Sequence, residues 1–215
     1  MGRPQPTAAA RTCHAGIEPR WELLQHLVAT NHQILMISGS MRQRSTNTAL
    51  LRTAQAIAPG STATTLYAGA DQLPHFNPDD DGPALPARVA DLRSQIRDAD
   101  AVLFSTPEYA GALPGSFKNL LDWAVGDDQP GSLNGKPVAW INGSPRGAFL
   151  AHASLRGVLG YLGAAVVEPA CLEIPVTGDM VGDDGLIHSI GIRQKVAEAL
   201  DELVRGIPPP HPAAG

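Results

Sequence analysis

The sequence predicts an α/β domain built on a parallel, doubly wound β-sheet of five strands. Short continuous apolar runs, typical of strands buried on both faces, alternate with longer segments in which apolar residues recur at helical spacing. Five such strand–helix pairs follow one another along the chain. Regular alternation of this kind is typical of a parallel sheet with helices on both faces.

The first three predicted strands are all short, but they differ in composition. Ile34–Ile37 is wholly apolar, and the spacing of apolar residues over Leu50–Ile57 predicts the first helix. Thr62–Tyr67 is rich in β-branched residues and predicts the second strand. A helix over Leu85–Ile96, with apolar residues at i, i+4, i+7 and i+11, precedes the third strand at Ala101–Ser105.

The second half of the chain repeats this pattern. Apolar residues at helical spacing predict a third helix over Phe117–Val125, and Val138–Ile141 is the fourth strand. A fourth helix over Leu155–Leu162 leads to a fifth strand at Ala164–Val167. The last helix is predicted over Ile192–Leu203.

Five strands fit the order 2-1-3-4-5 of a flavodoxin-like three-layer sandwich better than a six-stranded Rossmann sheet. In that order the first, third and fourth strands are neighbours, and the switch point lies between the first and third. Ligands of such folds bind beyond the carboxyl ends of the strands at the switch point. The loops after these three strands are the richest in Gly, Ser and Pro within the core, so we expect them to share one crevice.

We expect the ordered domain to cover residues 33–205. Residues 1–32 are predicted to be a partly disordered extension, in which Trp21–Val28 has the spacing of a short amphipathic helix. Residues 206–215 form a proline-rich tail that is predicted not to pack. The extension lacks the apolar segment of a secretory signal, and no apolar run is long enough to span a bilayer.

Charge and cysteine content exclude several classes of partner. A formal net charge of −5 gives no general attraction for nucleic acid or anionic membranes, so neither is expected. Cys13 and Cys171 form no CxxC motif, which fits a reducing compartment and predicts a cytoplasmic location.

No metal site is predicted, because HExxH is absent and Asp79–Asp81 lacks EF-hand spacing, so a solvated loop is expected there.

The loop after the first strand combines hydroxyl and amide groups with a forked cation. Gly39 is expected to allow a sharp turn. Candidate ligands of an anion are Ser40, Arg42, Ser45, Thr46 and Asn47. Because the loop ends where a helix begins, its free N–H groups suit a phosphate dianion. The loop has neither GK[ST] nor GxGxxG, and a serine-rich helix cap without a ligand is the other interpretation.

The loops after the third and fourth strands suit a planar ligand and a second anion. In the first of these, Pro107 stiffens the backbone beside Glu108 and Tyr109, which predicts either a wall against a flat ligand or a rigid turn whose tyrosine fills a core gap. In the second, Gly143 and Gly147 allow close backbone approach. Its Arg146 is either a ligand of a second anion or an exposed surface charge.

Three segments carry a family resemblance. They are GSMRQRSTNTALL, TPEYAGALPGSFKNLLDW and GKPVAWINGSPRGAF, which occur in this order between Gln33 and Val167. They resemble the GSxRxxSxNxxL and TPEYNxxxPGxLKNxxDW motifs, and the following glycine loop, of the NADPH-dependent FMN reductases. That flavodoxin-like family includes chromate, quinone and azo-dye reductases.

The resemblance implies a set of FMN-binding residues. The phosphate is assigned to Ser40, Arg42, Ser45 and Asn47, with Thr46 and Thr48 close by. The isoalloxazine ring is assigned to Pro107, Glu108 and Tyr109, followed by Ala110 and Gly111. The pyrimidine edge or the nicotinamide is assigned to Gly143, Ser144, Arg146 and Gly147. Ala110 departs from the family, which usually has asparagine there, so that a side-chain hydrogen bond to the flavin is lost.

The resemblance also implies the activity. FMN would pass a hydride from NADPH or NADH to quinones or other small oxidants, with ping-pong kinetics and no catalytic side chain; Glu108 is expected to be structural rather than a general base. A homodimer or tetramer is expected through the third helix, where Phe117, Leu120, Leu121 and Trp123 cover a wide arc. Two alternatives stay open: a flavodoxin-type electron carrier without a nicotinamide site, and a flavin-free regulatory protein.

Overall fold

The structure is a computed structural model that describes residues 32–209. The predicted helix at Trp21–Val28 lies outside the described residues, as do Cys13 and the end of the proline-rich tail. The strands are β1 (His32–Ser38), β2 (Thr62–Leu66), β3 (Ala101–Ser105), β4 (Pro137–Asn142), β5 (Ala165–Val166) and β6 (Leu172–Glu173). The α-helices are α1 (Thr46–Ile57), α2 (Ala87–Asp98), α3 (Gly115–Val125), α4 (Phe149–Tyr161) and α5 (Ile190–Arg205).

The sheet is parallel and has the order β2-β1-β3-β4-β5, which confirms the predicted topology. In register, Leu35 of β1 lies opposite Val102 of β3, and Leu103 of β3 lies opposite Ala139 of β4. The carboxyl ends of β1, β3 and β4 therefore lie side by side. The loops that follow them meet at one end of the sheet.

The edge of the sheet differs from the prediction of one fifth strand at Ala164–Val167. There β5 covers only two residues and pairs with the start of β4, and β6 pairs with the end of β4 after a 3₁₀ turn over Glu168–Ala170. Pro169 within that turn has no N–H to donate to the ladder, so a continuous strand is broken there. A two-residue strand has no measurable periodicity, which is why β6 was not predicted.

Apolar side chains pack on both faces of the sheet and form the three predicted layers. Leu35 and Ile37 of β1 face a core formed with α2, α3 and α4. Ile34 and Met36 point to the opposite face, where α1 and α5 cover them. Strict alternation along β1 follows from the two-residue period of a strand.

The arc of large residues on α3 belongs to the core of the chain itself. Phe117, Leu120, Leu121 and Trp123 are all buried within the described structure. The segment between β2 and α2 covers Trp123, because the indole Nε1 donates to the Pro74 carbonyl at 2.8 Å and Phe76 packs edge-on against the indole at 5.0 Å. The inference of a dimer surface from these four residues is therefore wrong.

The aspartate cluster in the same segment is only partly solvated. Asp79 and Asp80 are exposed, as expected, but Asp81 forms an ion pair at 2.9 Å with Arg93 of α2. Arg93 is 4% exposed, and its Nε donates to the Trp123 carbonyl. A buried guanidinium requires such partners, because its desolvation is otherwise uncompensated.

In residues 32–209 no helix is both long and apolar enough to cross a membrane.

Candidate functional site

The loops after β1, β3 and β4 enclose a cavity of about 600 Å³ at the carboxyl end of the sheet. Its walls contain all the predicted site residues except Thr48 and Gly147. Two further residues, Pro145 and Ala148, also line it. The structure thus brings the predicted residues together, and their roles toward a ligand stay predictions.

The first wall is the loop that leads into α1. Ser45 is the N-cap of α1, and its hydroxyl accepts from the backbone N–H of Thr48 at 3.3 Å. The Thr48 hydroxyl contacts the Ser38 hydroxyl at 2.8 Å, which holds Thr48 beneath the loop and away from this cavity. The N-terminal end of α1, with its unpaired N–H groups and positive dipole end, faces the loop residues that surround the cavity.

Asn47 ties this first wall to the sheet. Its side chain is buried, and its Oδ1 accepts from the Ser105 hydroxyl at 3.0 Å. The same hydroxyl lies 2.9 Å from the Ile141 carbonyl of β4. Within residues 32–209 the amide nitrogen of Asn47 has no hydrogen-bond partner, so a donor remains available beside the cavity. Asn47 therefore connects α1 to β3, and the Ser105 hydroxyl continues the connection to β4.

The second wall contains a two-residue turn between Tyr109 and Ala112. The two residues exchange both backbone hydrogen bonds at 3.0 Å. Between them Ala110 has φ 49° and Gly111 has φ 72°, the positive values of a type I′ turn. Such turns favour Asn-Gly, because asparagine tolerates the left-handed region better than alanine. The asparagine typical of the resembling family at this position thus has a conformational reason, independent of any contact with a ligand.

Replacing Ala110 with asparagine is expected to stabilise the protein by about 1 kcal/mol, because it relieves left-handed strain. Urea unfolding of the purified variants measures the change. The matched control is Ala112→Asn, in the same exposed turn but not at positive φ. Equal effects at the two positions would mean that backbone strain at Ala110 is not the cause.

Glu108 connects the second wall to the third. Its Oε2 accepts from the backbone N–H groups of Leu150 at 2.9 Å and Ala151 at 3.0 Å, in the first turn of α4. The N-cap residue of this helix, Ala148, has no side-chain acceptor, and it has φ 48° and ψ 40°. A carboxylate at the N-terminal end of a helix is favoured by both the free N–H groups and the dipole. Glu108 therefore replaces the missing cap.

Removing this cap is expected to loosen the start of α4. Glu108→Ala should lower the free energy of unfolding by about 1 to 2 kcal/mol. Glu108→Gln keeps an oxygen acceptor and should lose less. Glu198→Ala, on an exposed position within α5, controls for loss of one acidic side chain. A loss as large for glutamine as for alanine would show that charge, rather than acceptor geometry, dominates.

The third wall is a tight turn after β4. Asn142 holds it, because its Oδ1 accepts from the Ser144 N–H at 3.0 Å and its Nδ2 donates to the Gly147 carbonyl. Gly147 has φ 90°, so Gly147 and Ala148 are two consecutive left-handed residues. Ala148 was not predicted to line the cavity, because alanine rarely adopts the left-handed conformation that places it there. Arg146 is exposed at the lip of the cavity.

Four exposed apolar side chains belong to, or closely follow or precede, residues that line the cavity. Phe149 and Leu150, which follow the cavity residue Ala148, are 68% and 61% exposed. Met41, which lies between Ser40 and Arg42, and Tyr109 are also exposed. We call these four exposed residues the apolar rim.

The chain is similar in sequence to known flavin and quinone reductases. A model of the NADPH-dependent FMN reductase family matches residues 32–177. A quinone reductase of Escherichia coli is 33% identical over 171 residues, which cover 74% of this chain and 90% of that protein. An NAD(P)H-dependent FMN reductase of Pseudomonas aeruginosa is 42% identical over 134 residues, 60% of this chain and 70% of that protein.

The fold agrees with these relatives. The solved structure of FerB, described as a flavoenzyme NAD(P)H:(acceptor) oxidoreductase from Paracoccus denitrificans, superposes with a TM-score of 0.66. It is 29% identical in sequence, and the match covers 81% of this chain and 98% of FerB. The family match spans the sheet and all three walls of the cavity, which confirms the resemblance seen in the three motifs. The chain belongs to the NADPH-dependent FMN reductase family.

Proposed function

We propose that this protein is an NAD(P)H-dependent FMN oxidoreductase that delivers reducing equivalents to quinones or similarly small oxidants. The single observation that carries the proposal is the cavity at the switch point of the sheet, where a phosphate-type loop faces a backbone-lined turn. The proposed FMN-binding domain covers residues 33–205.

The residues around the cavity fit FMN. A volume of about 600 Å³ is within the range of small-molecule and cofactor sites. At one end the guanidinium of Arg42, the hydroxyl of Ser40 and the N-terminal end of α1 form a donor set suited to a phosphate dianion. At the other end the backbone of Pro107–Gly111 and of Gly143–Ser144 offers a narrow polar wall suited to the edge of a flat ring.

Each wall then has a distinct role. FMN, when bound, supplies the hydride chemistry between NAD(P)H and the acceptor. Arg42 and Ser40 anchor the phosphate, and the Tyr109–Ala112 turn orients the ring. The N–H group of Gly143 stabilises negative charge at the ring edge, by the same electrostatic principle as an oxyanion hole, while the Ser144 N–H is held by Asn142. Glu108 is occupied by α4 and serves to position the wall rather than to transfer a proton.

The apolar rim supports a planar, weakly polar acceptor such as a quinone. A second exposed apolar area lies between α3 and α4, where a groove of about 410 Å³ includes Val125 and Tyr161. This groove and the apolar rim both support association of copies of this chain. We propose a homodimer or tetramer on this basis, to be measured by light scattering. A cytoplasmic location is proposed because NAD(P)H is supplied there.

The test is oxidation of NADPH and NADH by the purified protein, with and without a benzoquinone. Flavin absorption in the purified protein and quinone-dependent oxidation of NAD(P)H are expected. A protein that binds FMN but does not oxidise NAD(P)H would be an electron carrier. A colourless protein that does not take up added FMN would be a flavin-free regulatory protein, and either result would overturn the proposal.

A further inference from the structure

A second cavity, of about 540 Å³, lies on the other side of the phosphate-type loop. One wall is formed by Arg42–Ser45 together with Thr48, Ala49 and Arg52 of α1. The opposite wall is the glycine-rich segment 178–185, which precedes α5. Arg42 and Ser45 also line the first cavity, so the two cavities adjoin across this loop.

Three guanidinium groups give the first wall its charge. They belong to Arg42, Arg44 and Arg52, and all three side chains are exposed. Within residues 32–209 none of them forms an ion pair, which is also true of Arg88, Arg146 and Arg193 but not of Arg93, Arg97, Arg156 and Arg205. Three unpaired cations around one concave surface attract an anion with several oxygens.

The opposite wall is a small hairpin with two aspartates at its tip. The Gly182 N–H donates to the Leu186 carbonyl at 2.8 Å, and the Gly185 N–H donates to the Gly182 carbonyl at 2.9 Å. Asp184 is exposed but already has partners within the hairpin, since its Oδ1 accepts from the Leu186 N–H and its carboxylate contacts His188 at 3.0 Å. The hydrogen bond from Leu186 lowers the pKa of Asp184.

Asp183 is the carboxylate that remains for a ligand. It is exposed, and among residues 32–209 it has no ion-pair partner. The Asp183 carboxylate would repel a ligand that carries only negative charge and no hydrogen-bond donor. A nucleoside phosphate matches both walls, because its phosphate oxygens accept from arginines while its ribose hydroxyls and adenine amino group donate to a carboxylate.

We propose that this second cavity binds the adenosine end of NADPH, with Arg44 and Arg52 contacting the 2′-phosphate and Asp183 accepting from the nucleoside. The inference rests on the proposed function, since it requires that a nicotinamide reach the first cavity from here. Arg42 belongs to the shared loop and is assigned to the flavin phosphate. Arg44 and Arg52 thereby set a preference for NADPH over NADH, which lacks the 2′-phosphate.

The experiment compares the wild-type protein with the double variant Arg44→Ala/Arg52→Ala. The KM for NADPH is expected to rise roughly 10- to 100-fold, with kcat and the KM for NADH changed less than about threefold. FMN affinity should be unchanged. Arg88→Ala, an exposed arginine on α2, is the matched control and should leave every parameter at the wild-type value.

A binding measurement separates this site from the activity. Calorimetry with 2′,5′-ADP and with 5′-AMP should show tighter binding of 2′,5′-ADP to the wild-type protein, and the difference should vanish in the double variant. Binding of 2′,5′-ADP without NADPH oxidation would support the site while contradicting the proposed function.

Three results would overturn the site. Equal rises in KM for NADPH and NADH would assign the arginines to the diphosphate that both share. A fall in FMN affinity would assign them to the flavin. Unchanged NADPH kinetics with unchanged 2′,5′-ADP binding would exclude them altogether.

Discussion

Replacing Gly39 with alanine is expected to destabilise the protein by about 3 kcal/mol and to remove most of its FMN affinity. Gly39 directly follows β1 and lies beside the loop after β3, where a methyl group would lie 2.6 Å from the Thr106 Cβ and closer still to its hydroxyl. The backbone has little freedom to withdraw, because the Gly39 N–H donates to the Ser105 carbonyl at 2.8 Å. The added methyl would push the first two walls of the site apart.

Gly60→Ala is the matched control, since nothing lies within 4 Å of a methyl group at that position. Urea unfolding and a fluorescence titration with FMN measure the two effects. Similar stability of the two variants would show that the close approach of Gly39 and Thr106 is not required. Gly39 is not among the residues at positive φ, so its role is to leave space, in contrast to the sharp turn expected from the sequence.

Arg42→Ala is expected to weaken FMN binding by roughly 1.5 to 3 kcal/mol, about ten- to more than a hundredfold, because it removes a charge-assisted phosphate contact. The side chain is exposed and makes no ion pair within residues 32–209, so the free energy of unfolding should be nearly unchanged. Fluorescence titration measures the affinity.

The conservative variant Arg42→Lys keeps the charge but loses the planar fork, and we expect an intermediate affinity. Arg88→Ala controls for the change in net charge. The wild-type affinity should also fall with rising salt more steeply than that of Arg42→Ala, because one ionic contact is missing in the variant. Unchanged affinity in Arg42→Ala would refute the phosphate assignment.

Strand order and the meeting of three loops were predictable because they depend on features that repeat along the chain. Buried parallel strands are apolar throughout, and the helices that cover them have one apolar face. Each element can therefore be recognised from its local sequence. The motifs then fall at the carboxyl ends of adjacent strands. Family membership followed from those same segments, and the comparisons confirm it.

Other features depend on contacts between distant residues, which no local pattern records. Glu108 caps a helix more than forty positions further along the chain. The arc on α3 was misinterpreted because Phe76 and Pro74, from a loop without periodicity, cover Trp123. The left-handed conformations of Ala110 and Ala148 oppose the preference of alanine, so tertiary closure of the turns imposes them.

The interrupted edge beside β4 has a consequence for association. A long exposed edge strand is a template on which a second chain can add its own strand, and proteins avoid this by shortening or breaking their edges. Here β5 and β6 each offer two residues, with Pro169 between them. Strand addition at this side of the sheet is therefore disfavoured. The association of copies proposed above is therefore expected to use side chains on the helices rather than this edge of the sheet.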